Sequence, residues 1–478
     1  MTAALKTSRK IIPIVSEPSQ DNFVSLYEAQ QKIYPRSISG YFNNWRWIMI
    51  WITQIVFYGV PWLQWGERQA LLLDISTHRF YIAGLVLYPQ DLIFLVVLLV
   101  IAALALFLFT AVAGRLWCGF SCPQSVYTAI FLWIEKKVEG DRMARIKLDD
   151  SKYGVKKITK KTTKHAIWII FSMWTGFTFL GYFTPIRGLS DHIMQFSLGP
   201  WETFWICFYG FATYGNAGFL REQVCKYMCP YARFQSAMFD KDTLIVSYDV
   251  ERGEPRRGRS RKIEAKAEGL GDCIECSMCV QVCPVGIDIR DGLQLECISC
   301  GLCVDACDSI MDKMEYPRGL IRFSTQNGVS NHWSQHEIIQ KILRPRVLIY
   351  SGILLALCAG FALSLGMRSP FKVDVIRDRG VMSRLVPGGN VENVYRLQIT
   401  NATESTQVFR VGVSGLEGLS VASSREFMVE AADSRMVAVS LQIPDGTIKS
   451  GTHPIKFEID ALGTDNHISE KSIFYMSR

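Results

Sequence analysis

Eight of the fourteen cysteines fall into two runs with one spacing. Cys273-x2-Cys276-x2-Cys279-x3-Cys283-Pro284 is followed by Cys297-x2-Cys300-x2-Cys303-x3-Cys307. Two-residue spacers let successive sulfurs turn toward one centre, and thiolates are soft metal ligands. This is the ligand run of a bacterial [4Fe–4S] ferredoxin, in which the fourth cysteine of each run serves the other cluster. The spacing predicts that Cys273, Cys276, Cys279 and Cys307 hold one cluster. Cys297, Cys300, Cys303 and Cys283 then hold the second. A pair of zinc sites is the competing reading, but zinc favours two separated pairs of ligands. Asp308 stands where proline is usual, which leaves the ligands untouched and bears only on the local turn.

Four more cysteines share another pattern. Cys118-x3-Cys122-Pro123 and Cys225-x3-Cys229-Pro230 each have an arginine just upstream, Arg115 and Arg221. Gln124-Ser125 and Gln235-Ser236 follow at similar offsets, so the pattern reads as an internal duplication. Proline disfavours α geometry in the residue before it and suits a helix's first turn. Cys122 and Cys229 are therefore expected where new helices start, where the helix dipole favours a thiolate. Four such sulfurs could bind Cu(I), accept electrons or hold a further cluster. The plainer alternative is that they are inert buried thiols.

Single residues carry less. Cys207 and Cys358 lie inside apolar runs and read as packing. His78, His192 and Met194 fall in loops where an incoming copper ion would meet them, and His165 opens an apolar run near the dithiols. Ordinary surface or packing roles fit all four at least as well. No Gly-rich dinucleotide fingerprint or phosphate loop stands out, so electrons are expected from a partner.

These residues need elements to position them. The chain has 478 residues, 49% of them hydrophobic, with a formal net charge of +8. Mean hydropathy is +0.14, more apolar than most soluble domains. Apolar runs at Trp47–Leu63, Leu92–Ala113, Ala166–Phe183, Thr203–Phe219 and Val347–Leu365 each approach the roughly 20 residues that span hydrocarbon. Trp45, Trp47, Trp62 and Trp65 bracket the first run as interfacial aromatics do. The 114–165 loop holds about a dozen Lys and Arg, whereas the loops at 64–91 and 184–202 hold Arg68, Arg79 and Arg187. The positive-inside rule places the amino terminus, the 114–165 loop and the 220–346 insert in the cytoplasm. Five spans put the carboxyl terminus outside. Basic residues beside apolar runs suit a membrane face better than a nucleic-acid groove, so no nucleic-acid partner is expected. The basic run at 251–262 fits anionic lipid head groups or a solvated linker.

After about residue 369 short alternating segments appear at Phe371–Ile376, Val394–Thr400, Gln407–Val413, Arg435–Ile443, Pro454–Asp460 and Ser472–Met476. Turn residues separate them, which argues for a small antiparallel β-sandwich. Asn401-Ala402-Thr403 matches a glycosylation acceptor, a weak three-residue signal.

The expected organisation is a multi-domain membrane protein. Residues 1–44 form a cytoplasmic segment, 45–240 a four-helix transmembrane domain, and 241–346 a cytoplasmic two-cluster ferredoxin-like domain. Residues 347–366 form the fifth transmembrane helix and 369–478 the β-sandwich.

Through Trp117-Cys118-Gly119-Phe120-Ser121-Cys122-Pro123-Gln124, Cys225-Lys226-Tyr227-Met228-Cys229-Pro230-Tyr231 and the double ferredoxin run, the sequence resembles the CcoG/FixG/RdxA family of cytochrome c oxidase accessory proteins. The likeness covers nearly the whole chain and implies an extracytoplasmic immunoglobulin-like domain after the fifth span. It implies a location in the bacterial inner membrane and a metal-ion oxidoreductase. The implied reaction is reduction of Cu(II) to Cu(I) for assembly of the cbb-type oxidase. Cys118, Cys122, Cys225 and Cys229 match the family's paired dithiols and are the expected catalytic and copper-binding residues. The implied partners are the bilayer, a cytoplasmic electron donor, and copper chaperones or oxidase assembly factors. The oligomeric state is left open, a homo-oligomer included. The dithiols are also shared with NapH-like and NosR-like membrane ferredoxins, so a respiratory carrier from quinol to a periplasmic reductase competes. A scaffold without redox turnover is the third reading.

Overall fold

The computed structural model describes residues 32–261, 268–378 and 383–476. Most of the expected amino-terminal segment, residues 1–31, and Lys262 of the basic run lie outside them.

All five expected spans are helical, but only two are both long and apolar enough to cross a membrane: Pro89–Ala113 and Pro345–Gly366. They are the expected second and fifth spans, and they pack together, with the Phe94 and Phe361 rings 6.0 Å apart. The other three fall short for separate reasons. Tyr41–Gly59 is rich in Trp and Tyr and carries Asn43, Asn44, Arg46 and Gln54. Val155–Leu180 begins with five lysines, including Lys161 and Lys164, in its first ten residues. Pro200–Gly215 has 16 residues before it widens into a π-helical turn at Asn216–Leu220. Two apolar helices, not five, are what the structure displays by length and composition. Many large apolar side chains on the other three are nonetheless exposed, among them Trp51, Ile55, Trp174 and Phe211.

Between the first two of these helices the sequence reading missed a small sheet. Leu71–Asp74, Arg79–Ile82 and Leu85–Leu87 pair in order, and Gln64–Trp65 pairs with Arg68–Gln69. Strands of two to four residues leave little periodicity to read.

The insert is closed by an antiparallel pair, Ile245–Tyr248 with Ile321–Ser324. Two of its helices, Met278–Val282 and Leu302–Met314, each follow a cysteine loop. The carboxyl-terminal domain is a two-sheet sandwich. Phe371–Arg377, Asn390–Asn401, Ser434–Pro444 and Ser420–Val421 form one sheet, with Arg384–Val386 at its edge. Glu426–Val429, Gln407–Ser414, Gly451–Ala461 and His467–Met476 form the other. Alternating inward residues such as Tyr395, Leu397, Val439, Phe457 and Phe474 make its core. Asn401 is fully buried and donates to the Ser405 carbonyl at 2.8 Å, so this asparagine serves the fold and is closed to a glycan.

Contacts sort into two ends. The 64–91 loop meets the β-sandwich: Arg79 pairs with Asp433 at 2.6 Å, and the Tyr88 hydroxyl donates to the Asn401 carbonyl at 3.0 Å. Asp91 is held by Arg368 at 2.6 Å and by Lys372. At the other end, the segment before Tyr41 lies on the insert and on the 114–165 loop. Arg36 N–H donates to the Gln281 carbonyl at 2.8 Å, and Ser37 N–H to Asp141 at 3.2 Å.

Candidate electron-transfer site

The cysteine loops of the insert are shaped by left-handed residues on either side of each middle cysteine. Glu275 and Ser277 have φ of 55° about Cys276, and Ser299 and Gly301 have φ of 51° and 74° about Cys300. This alternation turns the sulfurs inward, and only Gly301 adopts it without cost. Cys273, Cys276, Cys279 and Cys307 line one cavity. Cys283, Cys297, Cys300 and Cys303 line a second, with Cys279 at the wall between them. Asp308, in the usual proline position, accepts from Gly319 N–H at 3.0 Å and so pins the following strand.

The fit to a cluster can be tested on geometry. A single zinc ion draws sulfurs in to about 2.3 Å from the metal. Among the described residues no three His, Cys, Asp or Glu side chains gather closely enough to hold one ion. Each cavity instead has four thiols around a space, as a cubane requires. Burial pushes the Cys307 thiol up to about 12, with Cys279, Cys273 and Cys276 among its charged neighbours. Cys297 is pushed to about 12 likewise, beside Cys300 and Cys283. Thiols this buried would lose their protons on ligating iron, whose positive charge stabilises the thiolate. The first cavity is also lined by Arg290, whose Nε and Nη2 are held by Asp288 at 2.8 and 2.5 Å. Its Nη1 is buried without a partner among the described residues. Sequence reading passed over Arg290, because nothing in its spacing marks it.

The two dithiols form matching structures. Each begins with an unusual backbone four residues before the first cysteine: Gly114 at φ 55°, ψ −125°, and Arg221 at φ 40°, ψ −111°. A short helical turn follows, Leu116–Phe120 or Val224–Met228. Cys122 and Cys229 are then the extended caps of helices that open on Pro123 and Pro230. The matching backbone corrects the sequence pairing of arginines and glutamines. Arg221 matches Gly114 rather than Arg115, and Gln235 sits six residues past Cys229 where Gln124 sits two past Cys122.

The halves interlock. Gln124 Nε2 donates to the Asn216 and Arg221 carbonyls at 2.9 and 3.0 Å. Arg115 donates to the Ala232 carbonyl at 2.5 Å, and Gln235 Nε2 lies 3.5 Å from Cys118 Sγ. The four thiols become electrostatic neighbours. Burial pushes Cys118 up to about 11, against the hydrogen bond with Gln235. It pushes Cys225 up to about 12, with Cys122, Cys118 and Cys229 close by. Cys122 also rises by burial, which outweighs the backbone N–H groups of Ser125 and Gln124. The expectation that the helix start would favour its thiolate is therefore overturned: desolvation exceeds the dipole.

The thiol quartet abuts the insert. A Cβ on Gly119 would fall 2.7 Å from the Ile298 carbonyl oxygen and 2.8 Å from Cys300 Cα. Cys118 packs in one apolar cluster with Cys283, Cys297, Cys300 and Cys303. Arg46 Nε donates to the Gly119 carbonyl at 3.1 Å. The insert in turn caps the first helix: Asp305 accepts from Phe42 N–H at 3.1 Å and Asn43 N–H at 2.8 Å.

Behind the dithiols lies a buried ion network that the sequence did not announce. Glu135 accepts from Arg221 at 2.6 Å and Arg145 at 3.0 Å, and Lys164 lies 3.1 Å from Glu139. Burial alone would raise Glu135; Arg221, Lys164 and Arg145 hold it below the ordinary carboxylate range. The Arg221 pair also holds that residue in its left-handed backbone, a conformation that costs about 1–3 kcal/mol in a non-glycine residue.

Other expected residues do not join. His78 and Met194 are exposed, and His192 lies 3.4 Å from Glu202. His165 Nδ1 is 3.0 Å from the Tyr214 hydroxyl and the ring stacks on Phe219, a packing role. Cys207 is exposed on its helix and Cys358 partly buried. The basic run is spent on the insert: Arg252 pairs with Asp272 at 2.6 Å, and Arg259 donates to the Gly271 carbonyl at 2.6 Å. These bonds clamp the module and remove those two arginines from a free lipid-facing stripe.

Three family models match. Residues 220–326 match a 4Fe-4S dicluster domain, 95–139 a 4Fe-4S binding domain, and 361–477 the IG-like fold at the C-terminal of FixG. The chain is 36% identical to nitrogen fixation protein FixG of Rhizobium meliloti over 451 residues, 88% of this chain and 85% of that one. Protein RdxB of Cereibacter sphaeroides is 36% identical over 398 residues, 82% of this chain and 83% of its own. Protein RdxA of the same organism is 35% identical over 436 residues, 88% of this chain and 91% of its own.

Proposed function

The chain belongs to the FixG family of iron–sulfur proteins, and from that premise we propose that it reduces Cu(II) to Cu(I) at Cys118, Cys122, Cys225 and Cys229. Its general role is electron transfer by an iron–sulfur protein of the membrane. The eight insert cysteines are taken as ligands of two [4Fe–4S] clusters, paired as their cavities pair them. Those clusters supply the single electron that each Cu(II) needs.

The observation that carries the reading is the seating of Gly119 against Cys300. It sets the thiol quartet beside the second cluster cavity with no side chain between the two backbones. The residues do the rest. Gln235 touches the Cys118 thiol, and the interlocked halves keep the four sulfurs electrostatic neighbours. Soft thiolates favour the cuprous product. Copper must displace protons from Cys118 and Cys225, so capture strengthens as pH rises.

The product would serve assembly of a cbb-type oxidase, with copper chaperones or assembly factors as recipients. The same reading makes the protein multi-pass in the bacterial inner membrane, amino terminus inside and β-sandwich outside. The contact pattern supports it: the 64–91 loop meets the sandwich through Arg79 and Tyr88, and the 114–165 segment meets the insert through Gly119.

One observation favours a second reading. The 4Fe-4S binding model matched at 95–139 includes Cys118 and Cys122. The quartet would then hold a third cluster, and the protein would be a respiratory carrier. Iron counting after anaerobic purification separates the two. Eight iron atoms per chain, four for each cluster, with Cu(I) trapped by a cuprous chelator after Cu(II) is added, supports cupric reduction. Twelve iron atoms and no Cu(I) supports the carrier.

A further inference from the structure

Where the Tyr41–Gly59 helix, the Pro123–Glu139 helix and the insert meet, a cavity of about 160 Å³ is rich in positive charge. Arg36, Arg46, Lys136 and Arg145 line it, against one carboxylate, Asp141. Arg145 is already paired with Glu135 at 3.0 Å. Asp141 accepts from Ser37 N–H at 3.2 Å and has Lys136 as a charged neighbour. Arg36, Arg46 and Lys136 form no ion pair among the described residues. The cavity therefore carries an excess of cations over anions.

Arg46 is the telling member. It is only 8% exposed, and a buried cation without a counter-ion is costly. Its Nε donates to the Gly119 carbonyl at 3.1 Å. Its two terminal nitrogens have no hydrogen-bond partner among the described residues, yet neither is sealed off from the cavity. A guanidinium fork of this kind matches the oxygens of a phosphate. Arg36 Nη1 is spent on the Met278 sulfur at 3.1 Å, a weak acceptor.

The charged cavity runs into an apolar trough. Trp47, Ile50 and Trp133 line both the cavity and a groove of about 780 Å³ between the Tyr41–Gly59, Pro123–Glu139 and Val155–Leu180 helices. Ile55 and Trp174, on the groove's walls, are more than half exposed, so it opens on the outer surface of the helices. The Trp47 and Trp133 rings, 6.4 Å apart, stand at the junction, as indoles do at the head-group level of a bilayer. Arg46 lies in the second turn of its helix, at the end that the positive-inside rule places in the cytoplasm. A free anion would neutralise the cavity and leave the groove uncovered. An uncharged lipid would cover the groove and leave Arg46 without a counter-ion.

We propose that the cavity and groove together bind an anionic phospholipid, its phosphate held by Arg46, Arg36 and Lys136 and an acyl chain laid in the groove past Trp51 and Ile55. Basic pockets between helices on the cytoplasmic side suit such head groups. The inference rests on the membrane placement above and not on copper. Val282, Pro284 and Leu302, chain neighbours of Cys283 and Cys303, belong to the cavity wall. A lipid bound there ties the insert to the membrane helices beside the second cluster cavity.

The test uses the full-length protein in detergent micelles, with phosphatidylglycerol and phosphatidylcholine of the same chains as probes and native mass spectrometry as the readout. Phosphatidylglycerol should be retained about fivefold or more over phosphatidylcholine. Arg46→Gln should remove that preference. Arg36→Gln combined with Lys136→Gln, which leaves the Arg46–Gly119 bond in place, should weaken it. Iron content measured on each variant shows that the fold is kept. In nanodiscs, phosphatidylglycerol with a photoreactive acyl chain should label peptides within Trp47–Tyr58 or Ile130–Ile134, which needs no variant to fold. Equal retention of the two lipids, displacement by inorganic phosphate as a free-anion site would show, or labelling elsewhere would overturn the proposal. Lipid selectivity without copper reduction would sink the cupric reading alone. Copper reduction without lipid selectivity would sink this site alone.

Discussion

Gly119 and Cys300 meet backbone to backbone: a Cβ on the glycine would stand 2.8 Å from the cysteine's Cα and 3.0 Å from its nitrogen. The first dithiol loop and the second cluster loop are thus joined at the one residue type that permits it. Gly119→Ala should force the loops apart, at about 1–3 kcal/mol of overpacking. The expected outcome is unchanged iron content, slower copper reduction and a lower melting temperature by calorimetry. An unaltered copper rate would show that the contact does not matter for transfer.

Asp305 caps a helix that belongs to another part of the chain. Its carboxylate serves Phe42 N–H and Asn43 N–H, two of the donors a helix start leaves open. Asp305→Ala should cost about 1–3 kcal/mol by leaving both donors unserved, and Asp305→Asn, whose amide keeps one acceptor oxygen, an intermediate amount. Limited proteolysis of the segment before Tyr41 should accelerate most in the alanine variant and less in the asparagine variant.

Cys118 and Cys225 should be inert near neutrality. Burial holds Cys118 at about 11 and Cys225 at about 12, so the reactive thiolate is scarce at pH 7. Below its pKa a thiol's thiolate fraction rises about tenfold per pH unit. Alkylation by iodoacetamide, followed by mass spectrometry, should therefore climb from pH 7 to 10 without levelling. An exposed thiol would level off above about 8.5. A plateau at Cys118 below pH 9 would contradict the burial argument.

Arg290 offers an unpartnered Nη1 at the wall of the first cluster cavity, while the second cavity is walled by residues such as Val246, Val285, Ile287 and Ile298. A cation and its hydrogen bond favour the more negative, reduced cluster. Arg290→Met should lower one of two reduction potentials by tens of millivolts and leave the other in place. Redox titration followed by electron paramagnetic resonance reads this directly, and a shift in neither signal would refute it.

Much of the site was legible because cubane chemistry writes itself into local spacing. The two runs from Cys273 to Cys307 needed only counting, and the repeated dithiols showed a duplication. What was hidden is non-local or a contest of two effects. Nothing in Trp117-Cys118-Gly119 announces a neighbour at Cys300, and nothing in Asp305 points to a helix about 260 residues away. Proline correctly located the helix starts at Cys122 and Cys229, but spacing says nothing of burial, which reversed the expected direction at Cys122. Arg221 looked like the twin of Arg115; its positive φ shows that it replaces a glycine and is held by Glu135. The five apolar runs were visible as runs. Three of them trade aliphatic residues for Trp, Tyr, Lys and a π-helical turn, and so fall below the two that are plainly apolar. The β-sandwich alternation was clear in its long strands and silent in Arg384–Val386, Ser420–Val421 and Glu426–Val429.

The central claim, that electrons reach copper at the thiol quartet, is tested most directly by a single turnover. The protein is reduced anaerobically, freed of reductant and mixed with Cu(II), and Cu(I) is followed with a cuprous chelator beside the bleaching of the iron–sulfur absorbance. The account predicts about one Cu(I) per electron stored, with Cys118→Ala and Cys229→Ala slowing the reaction tenfold or more while iron content stays at the wild-type value. Equal rates in wild type and both variants would contradict it.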